Sequence, residues 1–472
     1  MTTYTTPPQE NEPAVSTLAE PGSTPRARNA VKALALRVHF LAGLAIAPFL
    51  AVLCLTGLGF AFSPQVNDLL YADELYVDNP GGPQRPLTEQ VDQALAAHPD
   101  GKLQSVITPP DAESTTRVVL SKPGLVDTGD PFSSERLTVF VNPYTATVTG
   151  QLVTVVNETP AQVWLRDMHG NLHLGDPGRL YAEFVASWLP VIILGGLILW
   201  IGRRRKRRRE VLLPTLRNRT GRTRLTGVHG ALGLWLAAGL IAVSITGLTW
   251  SQYAGDRFSQ AIQALDGTSP SLTAADITVA PGATPITFDD ALRIARTDGL
   301  EGTLTITPPS TPTSPIVVKE SATGLPVQRD NIAIDPYRAE ITERLGWQDY
   351  PLLAKLTNLG IQAHSGQLLG LANQIAMALL AVGTLVLLAL GYRMWWRRRP
   401  TNGALAPVPP RAWHRFPHWV VFLIVLTTAL LAWVIPVLGV TLGAFLLLDT
   451  AYNTLVSGLA GSNRTNHSRH GW

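Results

Sequence analysis

The chain has 472 residues, a formal net charge of +4 and one cysteine. A single thiol excludes a disulfide framework, a zinc site built on cysteines and a cysteine-ligated iron–sulfur cluster within one chain. The densest basic cluster, residues 203–209, directly follows a long apolar run. We therefore interpret it as an anchor on anionic membrane lipid, and we exclude nucleic acid as a partner.

Four apolar runs free of Asp, Glu, Lys and Arg are long enough to cross a hydrocarbon core of about 30 Å as helices. They predict a multi-pass α-helical membrane protein with spans at 31–62, 181–202, 225–253 and 365–396. Two further runs predict a fifth span at 417–435 and a sixth at 437–460. The alternative is that Pro436 kinks one long, tilted helix.

Basic residues predict the orientation, because Lys and Arg are retained in cytoplasmic loops. Of the 38 Lys and Arg residues, 21 lie in three segments: 1–38, 203–224 and 393–415. This places the N-terminus and the loops 203–224 and 397–416 in the cytoplasm, and the long loops 63–180 and 254–364 outside. Polar composition predicts a disordered cytoplasmic tail at 1–30 and a polar tail at 461–472.

Both outside loops have the same order of elements, which predicts two extracytoplasmic α+β domains. Helical apolar spacing predicts a helix at 87–97, with Thr88 as its N-cap, and a second helix at 287–295. Strands are predicted at 103–110, 117–120 and 137–141 in the first loop, and at 303–309 and 331–334 in the second. The last strand in each loop is followed by a turn, Asn142-Pro-Tyr or Asp335-Pro-Tyr.

A histidine opens the first and third spans in the same sequence context. Gly43 lies four residues after His39 and Thr56-Gly57 begins seventeen after it; the same spacings recur after His229, at Gly233 and Thr246-Gly247. Each outside loop also returns to the membrane through a histidine-bearing segment, with His169 and His173 in the first copy and His364 in the second. The units, near 31–210 and 222–399, each hold two spans, which predicts a parallel duplication whose four helices form a bundle.

The repeat predicts two separate histidine pairs. Its pseudo-twofold axis places His39 opposite His229 at the cytoplasmic end, and His169 or His173 opposite His364 at the outer end. Helix rise separates the two levels by roughly 25 to 30 Å, which is too far for one shared metal. Pairs without a carboxylate beside them suit b-type haem better than zinc, which usually takes four ligands. The alternative is that each histidine is an interfacial residue that caps its span.

Two haems of b type per chain would form an electron pathway across the membrane. Four arginines near the histidines are candidate partners for haem propionates: Arg166 and Arg179 outside, and Arg37 and Arg393 inside. The alternative is that these side chains are surface anchors that extend towards the lipid headgroups.

These features together resemble the PepSY-associated transmembrane family over roughly residues 31–455. The paired His-x-x-x-Gly spans, the Thr-Gly pairs, the Pro-Tyr turns and the histidine-bearing return segments carry the resemblance. The family includes iron-regulated membrane proteins of bacteria and inner-membrane ferric-siderophore reductases. Two departures stand out: His169 and His173 lie one helical turn apart, and Asn142 replaces the Asp usual in the turn.

The resemblance implies two extracytoplasmic PepSY-like domains and a location in the bacterial inner membrane. It also implies haem ligation by His39, His229, His364 and one of His169 and His173. The implied activity is the reduction of a ferric siderophore, or another ferric complex, to Fe(II) at the outer face. The electron donor would be a quinol or a partner reductase, because the chain has no Gly-rich nucleotide-binding fingerprint.

Two other functions also fit the sequence. PepSY domains in some proteins resemble protease propeptide inhibitors, so the outer loops could bind a peptide or peptidase in a non-enzymatic regulator. A parallel repeat is also an architecture of transporters, although charge-free spans are untypical of an ion-coupled carrier. A haem reductase would purify red, whereas a regulator would be colourless.

Overall fold

The structure, a computed structural model, describes residues 25–204, 212–213, 221–273, 276–321, 323–399, 409 and 416–467. The regions that lie largely outside the described residues are the predicted N-terminal tail, the predicted cytoplasmic loops 203–224 and 397–416, and the end of the C-terminal tail.

In the described part of the first half, up to residue 204, the chain forms six helices and four strands. In chain order they are α1 (Pro25–Ala61), α2 (Ser63–Leu70), α3 (Ala72–Leu75), α4 (Leu87–Ala97), β1 (Lys102–Ile107), β2 (Thr116–Ser121), β3 (Glu135–Val141), β4 (Val148–Val155), α5 (Pro160–Asn171) and α6 (Asp176–Arg204).

The second half repeats this order and adds two helices. Its elements are α7 (Gly221–Leu248), α8 (Tyr253–Ala264), α9 (Phe288–Thr297), β5 (Leu304–Thr307), β6 (Ile316–Glu320), β7 (Asn331–Asp335), β8 (Glu340–Leu345), a short 3₁₀ turn, α10 (Leu352–His364), α11 (Leu371–Trp396), α12 (His418–Val434) and α13 (Pro436–His467).

Four helices of the described residues, α1, α6, α7 and α11, are long and apolar enough to cross a membrane. They correspond to the four predicted spans. The last begins later than predicted, at Leu371, because Gly366 and Gly370 adopt positive φ angles of 81° and 54° and separate α10 from α11. Glycine takes such angles without the steric cost that a side chain would add.

The four long helices form a closed ring. α1 packs on α6, α6 on α7, α7 on α11 and α11 on α1. Apolar side chains from three of the helices fill the interior, among them Ile46, Val185, Leu189 and Leu240. Each unit of the repeat thus supplies two adjacent helices, as the parallel duplication predicts.

The C-terminal helices α12 and α13 form an antiparallel hairpin rather than one kinked helix. Gly439 lies directly against Ala432, and Gly443 faces Thr428 of the preceding helix. α13 then packs on α6, where Nε1 of Trp188 donates a hydrogen bond to Oγ1 of Thr441 at 2.9 Å. The chain therefore turns back at Pro436, which is the geometry expected of two separate segments.

The two large loops join in a single eight-stranded sheet at one end of the bundle. The strand order is β4-β3-β2-β1-β5-β6-β7-β8, and every neighbouring pair is antiparallel. The halves meet where Val106 of β1 pairs with Ile306 of β5. Helices α4 and α9 cover one face of this sheet and contribute to one shared apolar core, for example through Val91 and Ala291. The two predicted domains are therefore halves of one folded unit.

Most predicted elements of this sheet unit are present, but the predicted cap of α4 is wrong. Thr88 lies inside the first turn of the helix, and Pro86 occupies the N-cap position. The carboxylate of Asp289, from α9, accepts hydrogen bonds from the backbone amides of Leu87 and Thr88 and from the Thr88 hydroxyl. The cap thus comes from the other half of the repeat.

Candidate functional site

The bundle brings four histidines together as two pairs, one near each end. His169 and His364 form the sheet-proximal pair, with ring centroids 6.4 Å apart. His39 and His229 form the sheet-distal pair, with ring centroids 6.2 Å apart. In each pair one imidazole comes from each unit of the repeat, as the sequence predicts.

In the sheet-distal pair, His39 is held by helix α6. Its Nδ1 lies 2.7 Å from the carbonyl oxygen of Ile192. Because a carbonyl can only accept, Nδ1 carries the proton and Nε2 keeps its lone pair. A methyl group at Gly196 would lie 2.9 Å from Cε1 of His39, so glycine is needed where the imidazole meets α6.

His229 has a looser version of the same environment. Gly391 of α11 is the equivalent of Gly196, and a methyl group there would lie 3.9 Å from Cε1 of His229. The equivalent carbonyl, that of Leu387, lies near the imidazole but forms no regular hydrogen bond, and Nδ1 of His229 is buried without a partner in the described structure.

A cavity of about 270 Å³ contains both imidazoles of the sheet-distal pair. Gly43 and Gly233, which lie one turn after the two histidines, line it and leave space beside the rings. Most of the other lining residues are apolar, and Arg222 and Arg398 also line the cavity. The cavity is therefore a mostly apolar space with basic residues in its lining, between the four long helices.

The sheet-proximal pair is held by the Thr-Gly pairs of the repeat. Oγ1 of Thr56 lies 3.0 Å from Nδ1 of His169, and Oγ1 of Thr246 lies 2.8 Å from Nδ1 of His364. Each threonine hydroxyl also donates to a backbone carbonyl of its own helix. The hydroxyl oxygen must then accept from Nδ1–H, which leaves Nε2 of each histidine with its lone pair.

The glycine of each Thr-Gly pair makes room for the same ring. A methyl group at Gly57 would lie 2.8 Å from Cε1 of His169, and one at Gly247 would lie 3.2 Å from Cε1 of His364. The two parts of the repeated motif therefore belong to different sites. His39 is a member of the sheet-distal pair, whereas Thr56-Gly57 contacts a histidine of the sheet-proximal pair.

Burial favours the neutral form of both imidazoles of the sheet-proximal pair. Burial, with a smaller contribution from the facing His364, lowers the pKa of His169 to about 4. Burial also lowers the pKa of His364. Neutral imidazole is the form that binds a metal.

Of the two candidate histidines in the first return segment, only His169 faces His364. His173 is exposed, its ring lies 5.2 Å from that of Trp164, and its Nε2 donates to the Trp164 carbonyl at 3.0 Å. Leu172 and His173 have φ angles of 54° and 55°, so the chain turns away from the pair at the end of α5.

The four arginines predicted as propionate partners lie elsewhere or have partners of their own. Arg37 forms a buried ion pair with Asp449 of α13. Arg166 forms ion pairs with Glu158 and Asp167, at 2.5 and 3.2 Å. Arg179 and Arg393 are exposed.

The residues present fit a metal held between two facing imidazoles. Metal–nitrogen bonds of about 2.0 Å on opposite sides of one ion would place the imidazole centroids about 6 Å apart, and both pairs have this separation. Within the described residues no group of three or more His, Cys, Asp or Glu side chains could hold a metal by itself. The remaining ligands would therefore have to come from a cofactor such as a macrocycle.

Comparison with known proteins identifies the family. The model of the PepSY-associated TM region matches residues 36–398, which is more than three-quarters of the chain. The chain belongs to the PepSY-associated transmembrane family. The matched region of this PepSY-associated protein includes both histidine pairs, whereas the α12–α13 hairpin follows it. No curated protein matches the chain. The family match and the four apolar helices together show that the chain is a multi-pass membrane protein.

Proposed function

We propose that this PepSY-associated protein carries electrons across the membrane through two b-type haems and reduces a ferric complex, such as a ferric siderophore, on the side of the sheet. The observation that carries the proposal is the pair of facing imidazoles near each end of one bundle. His39 and His229 would hold one haem, and His169 and His364 the other.

The protein residues would hold each haem through its paired histidines and exclude water. Haem, when bound, supplies a one-electron Fe(III)/Fe(II) couple. Ile192 and the hydroxyls of Thr56 and Thr246 hold Nδ1 protons, so that Nε2 faces the metal. Hydrogen bonds of this kind set the orientation and basicity of metal-binding imidazoles.

The spacing of the pairs supports transfer over the width of the membrane. His39 and Thr56, the contact of the proximal pair, are seventeen residues apart on α1, or roughly 25 Å along the helix. A hydrocarbon core is about 30 Å thick. The clusters of Lys and Arg at the sheet-distal end favour that end as the cytoplasmic one and the sheet as the outer one, in a bacterial inner membrane.

The substrate would react at the protein surface rather than at a haem iron. Two imidazoles on one iron leave no open position, so the ferric complex would receive its electron near the sheet-proximal pair. Each electron converts one Fe(III) of the complex to Fe(II). A quinol or a partner reductase would supply the electrons at the sheet-distal end, since the sequence contains no Gly-rich nucleotide-binding fingerprint.

The test is anaerobic mixing of the reduced, purified protein with a ferric hydroxamate siderophore. We expect the reduced haem bands to disappear as an Fe(II)-specific chelator develops colour, with one Fe(II) for each haem electron lost. His364→Ala should slow the reaction at least tenfold, and His173→Ala, the matched control, should react like the unaltered protein. Persistence of the reduced bands with no Fe(II) formed would contradict the proposed reductase activity.

A further inference from the structure

We propose that Arg222 and Arg398 form the site that binds the two haem propionates at the sheet-distal pair. This inference rests on the proposed function, since it requires haem between His39 and His229. It replaces Arg37 and Arg393, which the sequence favours for the same role.

The charge of the cavity supports this assignment. Besides the two histidines, Arg222 and Arg398 are the only ionisable basic residues in its described lining, and the described lining contains no Asp or Glu. Two arginines in a mostly apolar cavity complement a planar, apolar molecule that carries two carboxylates. Arginine suits this role because its fixed fork can bind a carboxylate through two hydrogen bonds.

Two helix ends bring the arginines to the same end of the cavity. Arg222 lies in the first turn of α7, and Arg398 follows the last turn of α11. These ends touch, because Oγ1 of Thr226 lies 3.4 Å from Sδ of Met394. Arg398 also lies over the ring of Phe40, 5.7 Å from its centroid, and Phe40 is the neighbour of His39.

Arg222 adds its positive charge to that of the N-terminal end of α7, where it lies in the first turn. The partial positive charge at a helix N-terminus repels a cation in the first turn. A carboxylate bound there would interact favourably with both the helix end and the guanidinium group. A lipid phosphate offers the same chemistry, so the experiment must separate the two sources of negative charge.

The experiment reconstitutes haem-free protein with haem or with haem dimethyl ester, which lacks the propionate charges. The variants are Arg222→Gln, Arg398→Gln and the double substitution. Arg224→Gln and Arg397→Gln are matched controls, because these neighbouring arginines are exposed, as Arg222 is, but do not line the cavity. The experiment measures the affinity and the midpoint potential of the haem at the sheet-distal pair. This haem is identified as the one that His229→Ala loses.

We expect the double variant to bind haem at this site about 10- to 100-fold more weakly, as is typical when groups that support a metal site are removed. Its midpoint potential should fall, because loss of positive charge favours the oxidised haem. The controls should match the unaltered protein, and the dimethyl ester should bind equally to the unaltered protein and the double variant. Retention of the sheet-proximal haem shows that the double variant is folded.

Two results would overturn this proposal. Unchanged affinity and potential in the double variant would show that the arginines do not bind the propionates. An equal loss of affinity for haem and for its dimethyl ester would show that the two arginines bind lipid phosphate or support folding instead. If the unaltered protein binds no haem at either site, the proposed function itself fails, which is a distinguishable outcome.

Discussion

The histidines show how a repeated motif can serve two sites at once. In each copy the first histidine belongs to the sheet-distal pair, while the Thr-Gly pair seventeen residues later supports a histidine of the other pair. The spacing made the repeat visible in the sequence. The partner of the Thr-Gly pair was not visible, because it comes from a return segment 113 or 118 residues further along the chain.

Removal of the Thr56 hydroxyl tests this support directly. In Thr56→Val the Nδ1–H of His169 loses its acceptor, while the shape of the side chain is nearly kept. We expect the affinity for the haem of the sheet-proximal pair to fall about 10- to 100-fold, as measured by haem titration of the haem-free protein. Thr56→Ser, which keeps the hydroxyl, is the control; equal affinities in both variants would argue against the hydrogen bond.

The arginines could not be assigned from the sequence. Arg222 and Arg398 lie within basic clusters whose positions also fit a role as membrane anchors, and only the packing of α7 against α11 brings both residues into the cavity lining. Arg37 looked equally suitable two residues before His39. Its partner, Asp449, is 412 residues away, so the ion pair depends on where the C-terminal hairpin packs.

At the scale of elements, strong local patterns were predicted well. The helices α4 and α9 have clear apolar spacing, and four long helices follow from hydropathy. The strands β4, β6 and β8 were not predicted: β4 contains Gly150 and polar residues, β6 is short, and four of the six residues of β8 are polar or charged. Their structure depends on pairing with neighbouring strands rather than on their own propensity.

The ion pair between Arg37 of α1 and Asp449 of α13 links the C-terminal hairpin to α1. Both side chains are buried, at 7% and 6% exposure. In Asp449→Asn the guanidinium would stay buried without its counter-charge, so we expect the free energy of unfolding to fall by about 3 to 5 kcal/mol. Thermal unfolding in detergent measures this change.

A paired substitution provides the control for this prediction. Arg37→Met combined with Asp449→Leu removes both charges, and it should be more stable than Asp449→Asn alone. If Asp449→Asn unfolds at the temperature of the unaltered protein, the ion pair does not hold the hairpin in place.

For the whole molecule, the duplication was predictable but the way its halves join was not. Two similar α+β units could stand apart or share a sheet, and the sequence of each is compatible with either arrangement. The choice depends on contacts between the copies, such as the pairing of Val106 with Ile306 and the cap that Asp289 provides for α4. The joined sheet ties the two return segments together and so helps to hold His169 opposite His364.

The most direct test of the central claim is a reduced-minus-oxidised visible spectrum of the full-length protein, purified from haem-supplied cells, with haem per chain quantified. The account predicts two b-type haems per chain, the loss of one in His229→Ala and of the other in His169→Ala or His364→Ala, and both retained in His173→Ala. A folded protein without a haem band would contradict the account. Peptide binding by the sheet would then become the working model.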